Sequence, residues 1–479
     1  MDCLGRNRDS EFGQQYGLSD VQSVADYQNR VPLGDYESLS PWIQRMLKGE
    51  TDVLFSGDTL AFELTSGSTA AQKLIPYSQE SLHDFRRALW PWLAGLPDQF
   101  SIHSGKAYWA ISPATRQTDQ TASGIPIGLA DSAYLGAELT AFFIQVSAVP
   151  FWVGTLEDFG EWQLATLYFL ICADDLSLIS VWSPIFLSSL IDSMIERRAQ
   201  LEQLLSAGMT LHARTMPADA AALQRFRAYC ASQRPKDLWP QLKLISCWAH
   251  GSSCAYYQDL VTRFDPVTFQ PKGLLSTEAV VTVPDHENRT LLTPHSAFYE
   301  FIDEQGCVHL AHELQTGQSY QVLLTTAGGL YRYRSGDCVR CRDYVEGLPQ
   351  LEFIGRRQTS DLAGEKLSEA FVTSCLKGIA GFRLLLPLSK PPGYCLVVES
   401  VHVDDAVCAS VEQALCANPH YAYARKLGQL QPLKLLVLDH AAAIYRDQAL
   451  QRGARLGDIK PPSLCLDASL FADDLQRII

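Results

Sequence analysis

Gly329-Leu330-Tyr331-Arg332-Tyr333-Arg334-Ser335-Gly336-Asp337 is the stretch on which the reading of this chain turns. A strand-like run at 320–326 precedes it, and Cys338-Val339-Arg340-Cys341-Arg342 follows. An acidic residue directly after Ser-Gly, between two alternating segments, is expected at a strand end, where the backbone tightens and a carboxylate faces a ligand. A carboxylate so placed accepts both hydroxyls of a ribose, which makes Asp337 a candidate nucleotide contact. Alone the signal is weak, because most Gly-Asp pairs are ordinary turns.

Far upstream stands Thr65-Ser66-Gly67-Ser68-Thr69-Ala70-Ala71-Gln72-Lys73. Hydroxyls, free backbone amides, a flexible glycine and a lysine suit a polyphosphate, which takes many donors and a cation. Residues 78–96 read as a helix, with Ser78 as N-cap and Leu82, Phe85, Leu89 and Trp92 on one face. A loop that feeds a helix N-terminus adds a favourable dipole for anions. It is not a Walker loop, since Gly-x-x-x-x-Gly-Lys-Ser/Thr occurs nowhere in the sequence.

Together and in this order, the two pieces resemble the luciferase-like adenylate-forming superfamily. Within it the chain is most similar to the Gretchen Hagen family of acyl-acid amido synthetases and their bacterial relatives. Three nucleotide motifs of that family have counterparts: the loop 65–73, Leu274-Leu275-Ser276-Thr277-Glu278, and the stretch ending at Asp337. Trp248-Ala249-His250-Gly251-Ser252-Ser253 and Val181-Trp182-Ser183-Pro184 agree less specifically. Two departures stand out: Ala70 and Ala71 replace glycines of the loop, and Leu274 replaces a tyrosine.

The resemblance implies a mixed α/β (α+β) adenylate-forming fold, with a large N-terminal domain at 1–355 and a small mobile C-terminal domain at 356–479. It implies ATP and Mg²⁺ as cofactors, a carboxylic acid as substrate and an amine as co-substrate. Thr65, Ser66, Gly67, Ser68, Thr69 and Lys73 would grip the phosphates, Ser276, Thr277, Tyr331 and Asp337 would complete the ATP site, and Glu278 would hold the metal. Lys366, just beyond the hinge, would reach the reacting atoms on closure, with Lys460 as a lower-ranked candidate. Ser252, Ser253 and Arg116 (a candidate partner for a second carboxylate) complete the set. Acyl-CoA or acyl-carrier-protein ligation is the alternative, and a nucleotide-binding protein without ligase activity is the second alternative.

Composition sets the outer bounds. The 479 residues are 47% hydrophobic and 19% charged, enough for two or three units with a sizeable core. A net charge of −14 argues against nucleic-acid binding through a basic surface. The first twenty or so residues lack a hydrophobic signal region, and the apolar run at 164–190 is broken by Asp174, Asp175 and Pro184. The expectation is a cytoplasmic monomer without a membrane span. The 13 cysteines are expected to be reduced, and Cys338 and Cys341, on a strand, are not expected to share a metal. Neither a Gly-x-Ser-x-Gly elbow nor a Gly-x-Gly-x-x-Gly helix entry occurs, and His312-Glu313 lacks a second histidine. A helix is expected around 188–205, and C-terminal strands at 383–386, 394–401 and 433–438.

Overall fold

The computed structural model describes the chain except residues 1, 66–72, 110–118, 130–133, 135, 357–358, 364, 400–402, 453, 455 and 476–479. Apolar strands alternate with helices through the first half, and the result is a parallel sheet. Its order is Thr268–Pro271, Leu244–Cys247, Leu176–Ser180, Lys106–Trp109. Strands of a parallel sheet need covering on both faces, so they read as continuous apolar runs; Leu176–Ser180 and Leu244–Cys247 are buried at every position. One face packs on the helix Phe159–Cys172, itself buried nearly all round, and on helices Pro184–Glu196 and Arg198–Ala207. The other face packs on the long helix Gln79–Gln99 through Ala88, Leu89, Trp92 and Leu96. Among the described residues no helix is long and apolar enough to cross a membrane.

The helix expected around 188–205 is two helices, broken at Arg197, the shared cap residue. The expected Ser78 cap is present: its hydroxyl accepts from the Ser81 amide, and the Ser81 hydroxyl answers the Ser78 amide.

A second, antiparallel sheet of seven strands carries the stretch that opened the reading. Its order is Thr282–Pro284, Thr290–Leu292, Leu348–Arg356, Tyr333–Val345, Ser319–Thr325, Phe298–Ile302, Val308–Leu310. Asp337 is not at a strand end as expected. It lies inside the strand Tyr333–Val345 and opens the pairing with Leu348–Arg356, opposite Arg356; that ladder then shifts register between Cys338 and Val339 and again between Cys341 and Asp343. The strand absorbs Ser335-Gly336 as an irregularity, because register with Ser319–Thr325 shifts between Gln321 and Leu323.

A buried ion pair within this sheet, Arg332 with Glu300, also ties it to the N-terminal helices through hydrogen bonds. Arg332 takes a left-handed φ of 44°, and its guanidinium turns inward, only 6% of the residue being exposed. Nε and Nη2 donate to the Glu300 carboxylate at 3.0 Å, and Nη1 donates to the carbonyls of Gln28 and Val31 at 2.9 and 3.0 Å. Gln28, on helix Val24–Arg30, donates to the same carboxylate at 2.9 Å.

After 356 the chain builds a separate layer. Strands Arg383–Ser389 and Pro392–Val398 pair antiparallel, and Lys434–Val437 adds in parallel, close to the positions expected from sequence. Helices cover both faces, giving two apolar cores that draw their buried residues from this region alone.

Arg332→Met leaves the Glu300 charge buried and unpaired and should cost roughly 3–5 kcal/mol of stability. Adding Glu300→Leu should recover most of that loss. Urea unfolding of the two variants beside the unaltered chain measures both effects.

Candidate active site

Asp337 is 2% exposed, and its carboxylate accepts from Arg356 Nε at 3.1 Å. Arg356 ends the neighbouring strand, and the Asp337 carboxylate raises its already high pKa. The stretch that leads to Asp337 is built for packing. Gly329 turns at φ 83°, and a Cβ there would lie 2.6 Å from that of Leu54. Tyr331 stacks on Phe12 at 4.2 Å and donates to the Leu54 carbonyl at 2.7 Å, so its ring is in the core. Tyr333 is fully buried, its hydroxyl has no partner among the described residues, and the carboxylates of Glu278 and Asp337 act on it.

Glu278 reaches the same place from a different loop. Its carboxyl pKa is raised, first by burial and then by repulsion from Asp337, with Arg356 opposing both. Two acids and one arginine from three segments therefore converge. The loop is fixed from below, where Tyr77 donates to the Thr277 carbonyl at 2.5 Å and the Ser276 hydroxyl accepts from the Ala279 amide at 3.2 Å. A small cavity opens beside Glu278, lined also by Ile75, Tyr77, Ser81, Ser296, Thr326 and Leu330. It puts the carboxylate at the first turn of the helix Gln79–Gln99, where unpaired amides favour anions. Leu274, in place of the family's tyrosine, is buried in the core.

The phosphate-loop candidates are framed by their ends. Strands Ala61–Leu64 and Leu74–Tyr77 pair antiparallel, and the Thr65 amide donates to the Lys73 carbonyl at 3.0 Å. Lys73 Nζ lies over the Tyr36 ring at 5.6 Å. Ser66, Gly67, Ser68 and Thr69 lie outside the described residues, as does Arg116. Ser253 is buried, and its amide donates to the His250 carbonyl at 3.3 Å, within the short turn Gly251–Ser253 that also contains Ser252.

The two lysines of the C-terminal part are placed differently. Lys460 Nζ stands over Trp248 at 4.5 Å and Trp182 at 6.0 Å, beyond the ends of two parallel strands. Ile459 beside it packs on the core of the large part. Lys366 is exposed, with a left-handed φ of 46°, and makes no hydrogen bond or ion pair among the described residues. Its neighbour Glu365 is fully buried, accepting the amides of Leu362 and Ala363 at 2.8 and 2.7 Å and the Tyr394 hydroxyl. That anchoring turns Lys366 outward. In this arrangement the structure brings Glu278, Asp337 and the ends of the 65–73 loop into one region, with Lys460 at the neighbouring strand ends and Lys366 on the surface.

Two participants escaped the sequence. Arg356 stood in Gly355-Arg356-Arg357, which reads only as a polar break, yet an arginine at a suspected hinge was a signal to weigh. Tyr77 closes an apolar strand, and nothing in its neighbours marks it as the support of Thr277.

Comparison with known proteins places this geometry. The GH3 family N-terminal domain matches residues 1–268, its central domain residues 290–356 and its C-terminal domain residues 365–469. A probable indole-3-acetic acid-amido synthetase of Arabidopsis thaliana, GH3.1, is 23% identical, with 96% of this chain and 87% of the relative covered. A probable synthetase of the same name from Oryza sativa subsp. japonica is 24% identical over 96% and 85%. Among solved structures, a GH3.15 acyl acid amido synthetase shares the fold at a TM-score of 0.83 and 19% identity, with 99% and 91% covered. A 2-hydroxyisobutyryl-CoA ligase in its postadenylation state follows at 0.55 and 13%, also over 99% and 91%. The chain belongs to the GH3 family, with the fold of the adenylate-forming enzymes.

Proposed function

We propose that this protein is an ATP-dependent ligase that activates a carboxylic acid as its acyl-adenylate and passes the acyl group to an amine. The observation that carries the reading is the convergence of Glu278 and Asp337, with Arg356, beside the cavity at the first turn of helix Gln79–Gln99. Family membership supplies the reaction class. The relatives are named amido synthetases, which favours amide over thioester formation.

In the first step a carboxylate oxygen attacks the α-phosphorus and the bond to pyrophosphate breaks. Two anions must meet, so the chain has to supply oriented donors and positive charge where charge accumulates. The helix N-terminus and the loop 65–73 supply donors to the phosphates, and Lys73 supplies a charge. Asp337, already held by Arg356, takes the ribose hydroxyls, so a bound nucleotide shares this carboxylate with the arginine. Glu278 fits a divalent cation: it is a half-buried carboxyl that desolvation and a neighbouring acid both disfavour as an anion, and a cation would relieve both. Mg²⁺ held there offsets phosphate charge. In the second step the amine nitrogen attacks the acyl carbon, the bond to AMP breaks, and the nitrogen releases a proton.

Residues 356–479 form the lid over a large domain at 1–355. Their self-contained cores support movement as one body. Closure excludes water that would hydrolyse the adenylate. Lys460 is the lid cation for adenylation, on the support of its seat over Trp248 and Trp182. Lys366, first in rank on sequence, faces solvent here and is assigned no part in that step.

Glu278→Gln keeps the shape and removes the charge, and acid-dependent pyrophosphate exchange should fall about 100-fold or more. Near-normal exchange in that variant, at ordinary magnesium, would show that Glu278 is not the metal residue. Lys460→Ala should cut exchange while leaving ATP affinity within about twofold, because the contact matters in the reacting state. Lys366→Ala should do less, and the reverse ranking would return Lys366 to the adenylation step. Supplying a panel of acids with ATP and either amino acids or CoA tests the acceptor: thioester with CoA and no amide with any amine would sink the amide reading.

A further inference from the structure

Lys272 is a buried cation that the reaction as described does not use. It follows the strand Thr268–Pro271 and is 2% exposed. Three indoles surround its ammonium, Trp92 at 4.9 Å, Trp182 at 5.1 Å and Trp109 at 5.6 Å. Nζ donates to Ser180 Oγ at 2.7 Å, and among the described residues no carboxylate lies within ion-pair distance. Burial lowers its pKa to about 7; the Cys247 thiol opposes the shift and Lys460 adds to it. A buried charge is costly unless it is paired, and indole faces return only part of that cost.

A second polar group waits beside it. Ser246 is 1% exposed, and its hydroxyl has no partner among the described residues. It is the register partner of both Ser180 and Gln270, and side chains at matched positions of neighbouring parallel strands share a face, with the strands about 4.8 Å apart. Gln270 is occupied: it accepts from Trp92 Nε1 at 2.7 Å and donates to Asn288 at 3.1 Å. Three donors, one cationic and one unused, therefore cluster at the carboxyl ends of parallel strands, where α/β sheets bind their ligands.

The cluster is not the phosphate site. Helix Gln79–Gln99 meets the Glu278 cavity at Ser81 and Phe85 and meets Lys272 at Trp92, about 10 Å beyond Phe85 along its axis. Lys272 precedes the Glu278 loop by two residues (274 − 272). Trp182 borders Lys272 and also carries Lys460 of the C-terminal part, so the cluster adjoins the residue assigned to adenylation.

We propose that Lys272, with Ser180 and Ser246, forms a carboxylate subsite in the acyl-acid pocket. This rests on the ligase reading above. The carboxylate is either the one activated or a second one carried by the acid, and the chemistry of recognition is the same: a cation and two hydroxyls within aromatic walls.

The test uses the full chain, its Lys272→Met, Lys272→Gln and Ser246→Ala variants, and acids with one carboxylate matched to acids with two. Pyrophosphate exchange gives KM for each acid and for ATP, and calorimetric titration gives acid affinity directly. Lys272→Met should raise the acid KM roughly 10- to 100-fold, as for loss of a charged hydrogen bond, with the ATP KM within about twofold. Ser246→Ala breaks no side-chain hydrogen bond among the described residues, so a smaller rise in the same KM would not come from a lost internal hydrogen bond. Loss with every acid identifies the activated carboxylate; loss confined to acids with two identifies the second. Lys272→Gln, which keeps donors without charge, answers the same question should the methionine variant not fold. Unchanged acid KM and affinity in the lysine variants overturn the subsite and make Lys272 a packing residue. No exchange by the unaltered chain with any acid is a different result, which sinks the ligase reading itself.

Discussion

The Arg332–Glu300 pair is the constraint on which the site depends. Breaking it would strand a charge in the core, so the backbone accepts a left-handed arginine in order to make it. The pair fixes where the strand Tyr333–Val345 begins, and with it the position of Asp337 along that strand. The same guanidinium binds two carbonyls near the C-terminus of helix Val24–Arg30, and Gly34 then brackets the strand start, donating to the Arg332 carbonyl and accepting from the Arg334 amide. The N-terminal helices are therefore part of the nucleotide site's foundation, although none of the candidate residues lies on them.

This also explains which residues of the central motif do chemistry. In Tyr331-Arg332-Tyr333 the conspicuous side chains point into the core: one stacks on Phe12, one pairs with Glu300, and one lies beneath the two acids. A motif read from sequence combines support and contact without distinguishing them. Here the support came first in the chain, and Asp337 is what it supports.

Much of the architecture was legible because it rests on local signals. Ser78 announces its helix through a capping exchange with Ser81, and the apolar runs at 320–326 and in the C-terminal strands reflect sheets covered on both faces. What failed to show depends on distant partners. Ser335-Gly336 reads as a turn, yet the strand runs through it as a bulge, unpaired on both sides, because Arg334 pairs with Leu323 before it and Asp337 with Arg356 after it. Arg197 breaks a helix whose apolar spacing continues across it. Arg356 and Tyr77 matter through residues 19 and 200 positions away, a relation no spacing within one segment encodes. Lys460 and Lys366 were separable only once Glu365 was seen buried, since a lysine beside an anchored acid must turn away from it.

Charge divides the site between its two ends. Near the nucleotide the protein concentrates acids, Glu278 and Asp337, with Glu369 of the lid's first helix also pushed toward its neutral form by burial. One arginine serves all three, and it stands at the end of the strand Leu348–Arg356. Its charge is shared between Asp337 and Glu278 on one side and Glu369 of the C-terminal layer on the other. At the other end the parallel strands hold Lys272, and Lys460 of the C-terminal part stands over the same indole. The two ammonium groups repel, and Lys460 thereby adds to the lowering of the Lys272 pKa that burial begins.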